Sequence, residues 1–119
     1  MFRNILEKIV VSCSGGVGAI LMGYDGIAID HYLIDDSNHD LNLVAVEYSN
    51  VIKEIRKTSE LLETGELQEI TIKTELFYVI VRALTDEYFV ALTIDRQGNY
   101  GQGRYLLMRE AVNLREALA

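Results

Sequence analysis

One long helical pattern, over residues 40–62, interrupts a chain otherwise made of strand-like runs, and it constrains the fold more than any other feature. Two apolar runs precede it and three follow it, with a short amphipathic stretch at each end of the chain. The order reads helix, strand, strand, long helix, strand, strand, strand, helix. Within the long pattern Leu41, Val44, Tyr48, Val51, Ile52, Ile55 and Leu62 recur at helical spacing and form one face. Leu43 and Val46 widen that face in its first half. The second half turns charged, with Lys53, Glu54, Arg56, Lys57, Glu60 and Glu63. A helix that is apolar over more than one side at its start has a surface to cover beyond the sheet it packs on.

Residues 17–24 and 27–34 are apolar runs separated by Asp25-Gly26. That pair predicts a hairpin with a tight primed turn, whose centre needs positive φ. Over residues 67–75 the pattern alternates: Ile70, Ile72 and Thr74 face one way, Glu69, Thr71 and Lys73 the other. This predicts a half-exposed strand at a sheet edge. Residues 77–85 and 88–95 are more continuously apolar, as central strands are, and Asp86-Glu87 turns between them. Phe2, Ile5, Leu6, Ile9, Val10 and Cys13 make the stripe of a first helix, stopped by Ser14-Gly15-Gly16. A last helix is predicted over 104–118, with Leu107, Ala111, Leu114 and Leu118 inward. Central strands without a polar face need helical cover on both sides. The predicted fold is therefore α/β: a single three-layer α/β/α domain over residues 1–119. Its five-stranded, mainly antiparallel sheet carries the long middle helix on one face and the two terminal helices on the other.

At 119 residues the chain is too short to divide into two cored domains. The net charge of −7 comes without a basic stripe, which disfavours nucleic acid and repels an anionic membrane surface. No apolar run approaches the roughly 20 residues of a membrane span, so no membrane insertion is expected. Arg3, Glu7 and Lys8 break up the N-terminal stripe, unlike a signal peptide. A lone Cys13 cannot form an internal disulfide, and a reducing cytoplasm is the expected location.

Candidate chemistry is sparse. Gly98, Gly101 and Gly103 lie between a strand and a helix, but their spacing is not G-x-G-x-x-G and no further strand completes a βαβ unit. They read as a flexible loop turning the chain onto the last helix. The run from Ser14 to Gly18 precedes a strand and lacks the Lys-Ser/Thr pair of a phosphate loop. His39 stands among Asp30, Asp35, Asp36 and Asp40. One histidine with solvated aspartates matches no usual ligand set, so a helix-capping loop is expected and no metal or cofactor. His31 reads as a surface or interface residue. No acid, base and nucleophile converge, no G-x-S-x-G elbow is present, and Cys13 sits at the unfavourable end of its helix for a nucleophile. The chain is not expected to be an enzyme. Arg104 opens the predicted last helix, where a cation is disfavoured by about 0.3–1 kcal/mol. A carboxylate is expected to hold it, within the chain in preference to on a partner.

The element order, the Tyr24-Asp25-Gly26 hairpin followed by Ile27-Ala28-Ile29, and the Asn99-Tyr100-Gly101-Gln102-Gly103-Arg104 turn together resemble the roadblock family. The resemblance spans nearly the whole chain and implies a dimeric scaffold and regulator of small Ras-like GTPases. The chain is similar to the stand-alone bacterial, MglB-like members, from whose better-known examples the acid-rich loop from Asp35 to Asp40 departs. Some of these accelerate GTP hydrolysis by reshaping the GTPase without inserting an arginine. The likeness also implies that the middle helices of two subunits pack together and that the strands following them can pair across the dimer. The implied dimer or partner interface comprises Leu43, Val46, Asn50, Lys53, Glu54 and Lys57 on the helix and Glu69, Thr71 and Lys73 on the strand. The implied function is a homodimeric binding module that regulates or scaffolds a small Ras-like GTPase, with activation of that GTPase, if any, needing no arginine finger. The alternatives are a small-molecule sensor domain and a purely structural adaptor. Arg96 and Arg104, flanking the glycine-rich run, are the arginines that would test the finger.

Overall fold

The computed structural model describes residues 1–34 and 41–119, with 41–44 described by main chain alone. The elements follow the predicted order: α1 (Phe2–Ser12), β1 (Gly16–Gly23), β2 (Ala28–Leu33), α2 (Leu41–Leu61), β3 (Glu69–Lys73), β4 (Phe77–Ala83), β5 (Tyr88–Asp95) and α3 (Tyr100–Leu118). The expected solvated loop with Asp35, Asp36, His39 and Asp40 lies outside the described residues, as does the side chain of Leu43.

The strands form one sheet in the order β2-β1-β5-β4-β3, antiparallel at every pairing. Successive side chains of the central strands point to opposite faces, and each face finds a helical layer. Ala19, Leu21, Ile80, Leu92 and Ile94 pack with Leu6, Ile9 and Val10 of α1 and with Leu106, Leu107, Ala111 and Leu114 of α3. Ile20, Met22, Val79, Val81, Phe89 and Ala91 pack with Ala45 and Ile52 of α2. This is the three-layer α/β/α arrangement that the apolar central strands require.

The first hairpin forms as predicted, but its turn is not the tight primed one. The Gly23 amide donates to the Ile27 carbonyl at 2.9 Å, and the Gly26 amide donates to the Gly23 carbonyl at 3.0 Å, which leaves Tyr24-Asp25-Gly26 as a three-residue loop. Only Gly26 has positive φ, +89°. The Asp25 carboxylate accepts from the Ile27 amide at 3.0 Å and stabilises this loop. The result is an ordinary turn followed by a left-handed glycine, the usual three-residue hairpin.

Two further expectations are corrected. First, α3 starts at Tyr100, a full turn before Arg104. Asn99 caps it, its Oδ1 accepting from the Gln102 amide at 3.0 Å. Gly101 and Gly103 are thus helical, and the flexible-loop reading fails for both. At Gly103 an added Cβ would collide with Ile94 Cδ1 and stand 3.1 Å from Leu92 Cδ2, so the missing side chain seats the helix on the sheet. Second, the inward side of α2 runs through Ala45, Ser49 and Ile52, whereas Val51 and Leu62 are exposed. Ser49 is 1% exposed, and its hydroxyl tolerates burial because it donates to the Val46 carbonyl at 2.6 Å within the helix. Small Ala45 and Ser49 bring α2 close to the sheet and turn its outer side toward Val51.

Candidate interaction surface

Among the described residues, β3 pairs with β4 on one side and with nothing on the other. The Gln68 carbonyl accepts from the Ala83 amide at 3.0 Å, and the Thr74 amide donates to the Phe77 carbonyl at 2.9 Å. Both point toward β4. Main-chain direction alternates along an antiparallel strand, so Glu69, Thr71 and Lys73 turn their N–H and C=O groups to the open edge. Their side chains belong to the α3 face. Glu69 accepts from Arg104 Nε at 2.6 Å and from Nη2 at 2.7 Å. Thr71 Oγ1 lies 3.2 Å from the Tyr100 hydroxyl, and Lys73 Nζ lies 5.9 Å from the Tyr78 ring. Ile70 and Ile72 pack on the α2 side. The strand with unmade ladder bonds is held in place from both faces.

Arg104 therefore has its carboxylate within the chain. Its hydrogen bonds hold the Glu69 carboxyl below the usual carboxylate range against the opposing effect of burial. Glu69 in turn pushes the Arg104 pKa upward. Arg96 is also engaged, its guanidinium 4.7 Å over the Tyr78 ring.

On α2, Val46, Asn50, Lys53, Glu54 and Lys57 are all exposed. Val46 is 39% and Val51 53% accessible, so an apolar start passes into a charged end. The helix is anchored toward its C-terminal end by Arg56, which lies 4.5 Å over the Tyr24 ring and donates through Nη1 to the Asp86 carbonyl. The five described helix residues thus share solvent exposure, and the three strand residues share an open backbone edge.

The other sequence candidates are structural. Cys13 is buried, its thiol 3.7 Å from the Ser14 carbonyl and 3.6 Å from that of Asn99, and burial pushes its pKa up. Half-buried His31 lines a space of about 20 Å³ under α2, with Ile20, Ala45 and Tyr48. That is room for about one water molecule. No group of His, Cys, Asp and Glu among the described residues could hold a metal.

No protein-family model and no curated protein matches the chain. Solved structures do. MglC from Myxococcus xanthus is 35% identical, with 98% of each chain covered and a TM-score of 0.73. The roadblock/LC7 domain from Streptomyces avermitilis superposes with a TM-score of 0.84 at 14% identity, covering 98% of this chain and 96% of that one. The gliding protein MglB from Thermus thermophilus gives a TM-score of 0.83 at 17% identity, covering 95% of this chain and 84% of that one. The first likeness is of sequence and fold together; the other two are of fold alone.

Proposed function

The chain belongs to the roadblock family, and on that footing we propose that it is a homodimeric binding module that regulates or scaffolds a small Ras-like GTPase. The observation that carries this reading is the open β3 edge, where Glu69, Thr71 and Lys73 present unpaired main-chain groups, the side chains of Glu69 and Thr71 being held by α3. An open edge of this kind is a template for a second strand. The outer side of α2 supports the same reading, because Val46 and Val51 beside Asn50, Lys53, Glu54 and Lys57 combine an apolar centre with a polar rim. The GTPase would sit on that helix surface of the dimer.

The protein would contribute no catalytic residue. An arginine finger needs a free guanidinium on a movable segment and is worth about 10³ or more in rate. Arg104 is bound to Glu69 within α3, and Arg96 is stacked on Tyr78. Any acceleration would come from reshaping the GTPase. No cofactor and no nucleic acid enter this function, and the cytoplasm is its proposed setting. No helix among the described residues is long and apolar enough to cross a membrane.

Light scattering at micromolar concentration should give a dimer. Thr71→Pro, which removes an edge-facing amide, should weaken association by about tenfold or more while the fold survives, since proline lacks the ladder donor. A monomeric wild type sinks the dimer, and undiminished pairing in the proline variant removes β3 from the interface. Single-turnover GTP hydrolysis by the partner should respond equally to wild type, Arg96→Ala and Arg104→Ala. Loss of nearly all stimulation in an alanine variant that still binds would establish a finger. The double variant Lys53→Glu/Lys57→Glu should lose the GTPase, and full binding would move the contact elsewhere. Binding without any change in turnover would identify the structural adaptor.

A further inference from the structure

At the end of the sheet marked by the β4–β5 turn, α2 and α3 approach from opposite faces and border a pocket of about 500 Å³. Arginines from three elements line it: Arg56 of α2, Arg82 of β4 and Arg115 of α3. Backbone carbonyls orient two of them. Arg115 donates through Nε to the Leu84 carbonyl at 2.8 Å and through Nη2 to that of Ala83 at 3.4 Å, and Arg56 donates to the Asp86 carbonyl. A carbonyl directs a guanidinium without neutralising it, and each head keeps further N–H donors.

The charges are not equally compensated. Arg56 has carboxylates at hand, Asp86 at 3.4 Å and Glu60 at 3.7 Å. Among the described residues no ion pair reaches Arg82 or Arg115. Glu69 stands across the strand pair from Arg82 and acts on it through space, but its hydrogen bonds go to Arg104. The Arg82 Nε is buried and finds no acceptor among the described residues. A buried donor of a cation left without an acceptor is unfavourable, and turning the Arg82 head onto an acceptor in the pocket would relieve it.

We infer that this pocket binds a small molecule through an oxyanion group, carboxylate or phosphoryl, seated on Arg82 and Arg115 with Arg56 beside it. Forked guanidinium donors suit both groups, and the volume suits a small molecule. The lining also carries Glu60, Glu66 and Asp86, the last 94% exposed. These carboxylates repel a polyanion such as a nucleic-acid backbone, so the ligand carries one or two negative charges. None of the pocket residues is among those assigned to the dimer or GTPase contact. The inference adds a ligand site to the binding module and does not depend on it.

Arginine Nε–Hε signals of the ¹⁵N-labelled full chain read the site directly. Sodium phosphate and sodium succinate are titrated separately at constant ionic strength. The Arg82 and Arg115 signals should shift saturably, at roughly millimolar concentration or below, with at least one anion, while exposed Arg109 does not follow. Arg115→Gln should weaken binding by about tenfold, the worth of one charge-assisted hydrogen bond, and Arg82→Gln should do the same if it folds. Saturation by phosphate alone assigns a phosphoryl ligand, and saturation by succinate alone a carboxylate. Shifts that are linear and alike at Arg109, saturation by neither anion, or an Arg115→Gln variant that titrates like wild type would each overturn the site.

Discussion

On the α1/α3 side of the sheet large side chains close the layer, with Leu6, Ile9, Leu107 and Leu114 fully buried. Even a carboxylate is accommodated there. Glu110 is 3% exposed, and burial opposes its charge. Hydrogen bonds from Asn113 and Arg109, together with Lys8, outweigh that and bring its pKa below the usual carboxylate range. On the other side, the buried residues that α2 contributes among those described are Ala45, Ser49 and Ile52, and the bulk comes from Phe89 and Met22 of the sheet. Val46 and Val51 of the same helix stay in solvent. The first layer fixes the edge strand through Arg104–Glu69 and Tyr100–Thr71, while Tyr105, Met108 and Val112 on the outer side of α3 stay exposed. The other holds its helix by small residues and leaves an apolar side uncovered. The two faces of one sheet thus hold their helices differently, by large side chains on one and by small ones on the other.

Unequal large-to-small truncations would test that division most strongly. Leu114→Ala should lower the unfolding free energy by about 3 kcal/mol, as a buried leucine truncation does. Val51→Ala should stay within about 0.5 kcal/mol, as exposed sites do. Urea denaturation measures both, and equal losses would erase the contrast. A smaller effect separates the two glycines of the first turns of α3. Gly103→Ala should cost about 1–3 kcal/mol by overpacking against Ile94 and Leu92, despite alanine's helical advantage. Gly101→Ala, whose Cβ would meet nothing nearer than Asn99 Oδ1 at 3.7 Å, should be neutral or stabilising.

The smallest effect concerns the Glu69–Arg104 pair. The folded pKa of Glu69 lies below its unfolded value near 4.3. Its contribution is therefore present at neutral pH and is lost as pH falls below about 4 through the lowered folded value. Glu69→Gln should remove that share of the acid-induced loss of stability and leave the rest of the pH profile unchanged. The effect is small because the pair is partly exposed and screened by solvent. An unaltered acid limb would show that the pair positions β3 without stabilising it.

Element order, both central strands, the edge character of β3 and its two-sided alternation could all be read from the residues alone. They depend on periods of two and 3.6 residues and on turn chemistry, which neighbours along the chain settle. The rotational setting of α2 could not be read so, because Ser49 inward and Val51 outward is decided by how closely small residues approach the sheet. Nor could the early start of α3, where Asn99 capping and the fit of Gly103 on Ile94 outweigh the poor helix propensity of glycine. The same holds for the partner of Arg104 and for the meeting of Arg56, Arg82 and Arg115 at one pocket. These residues are far apart in sequence and carry no local motif, and strand register and helix packing alone bring their charges together.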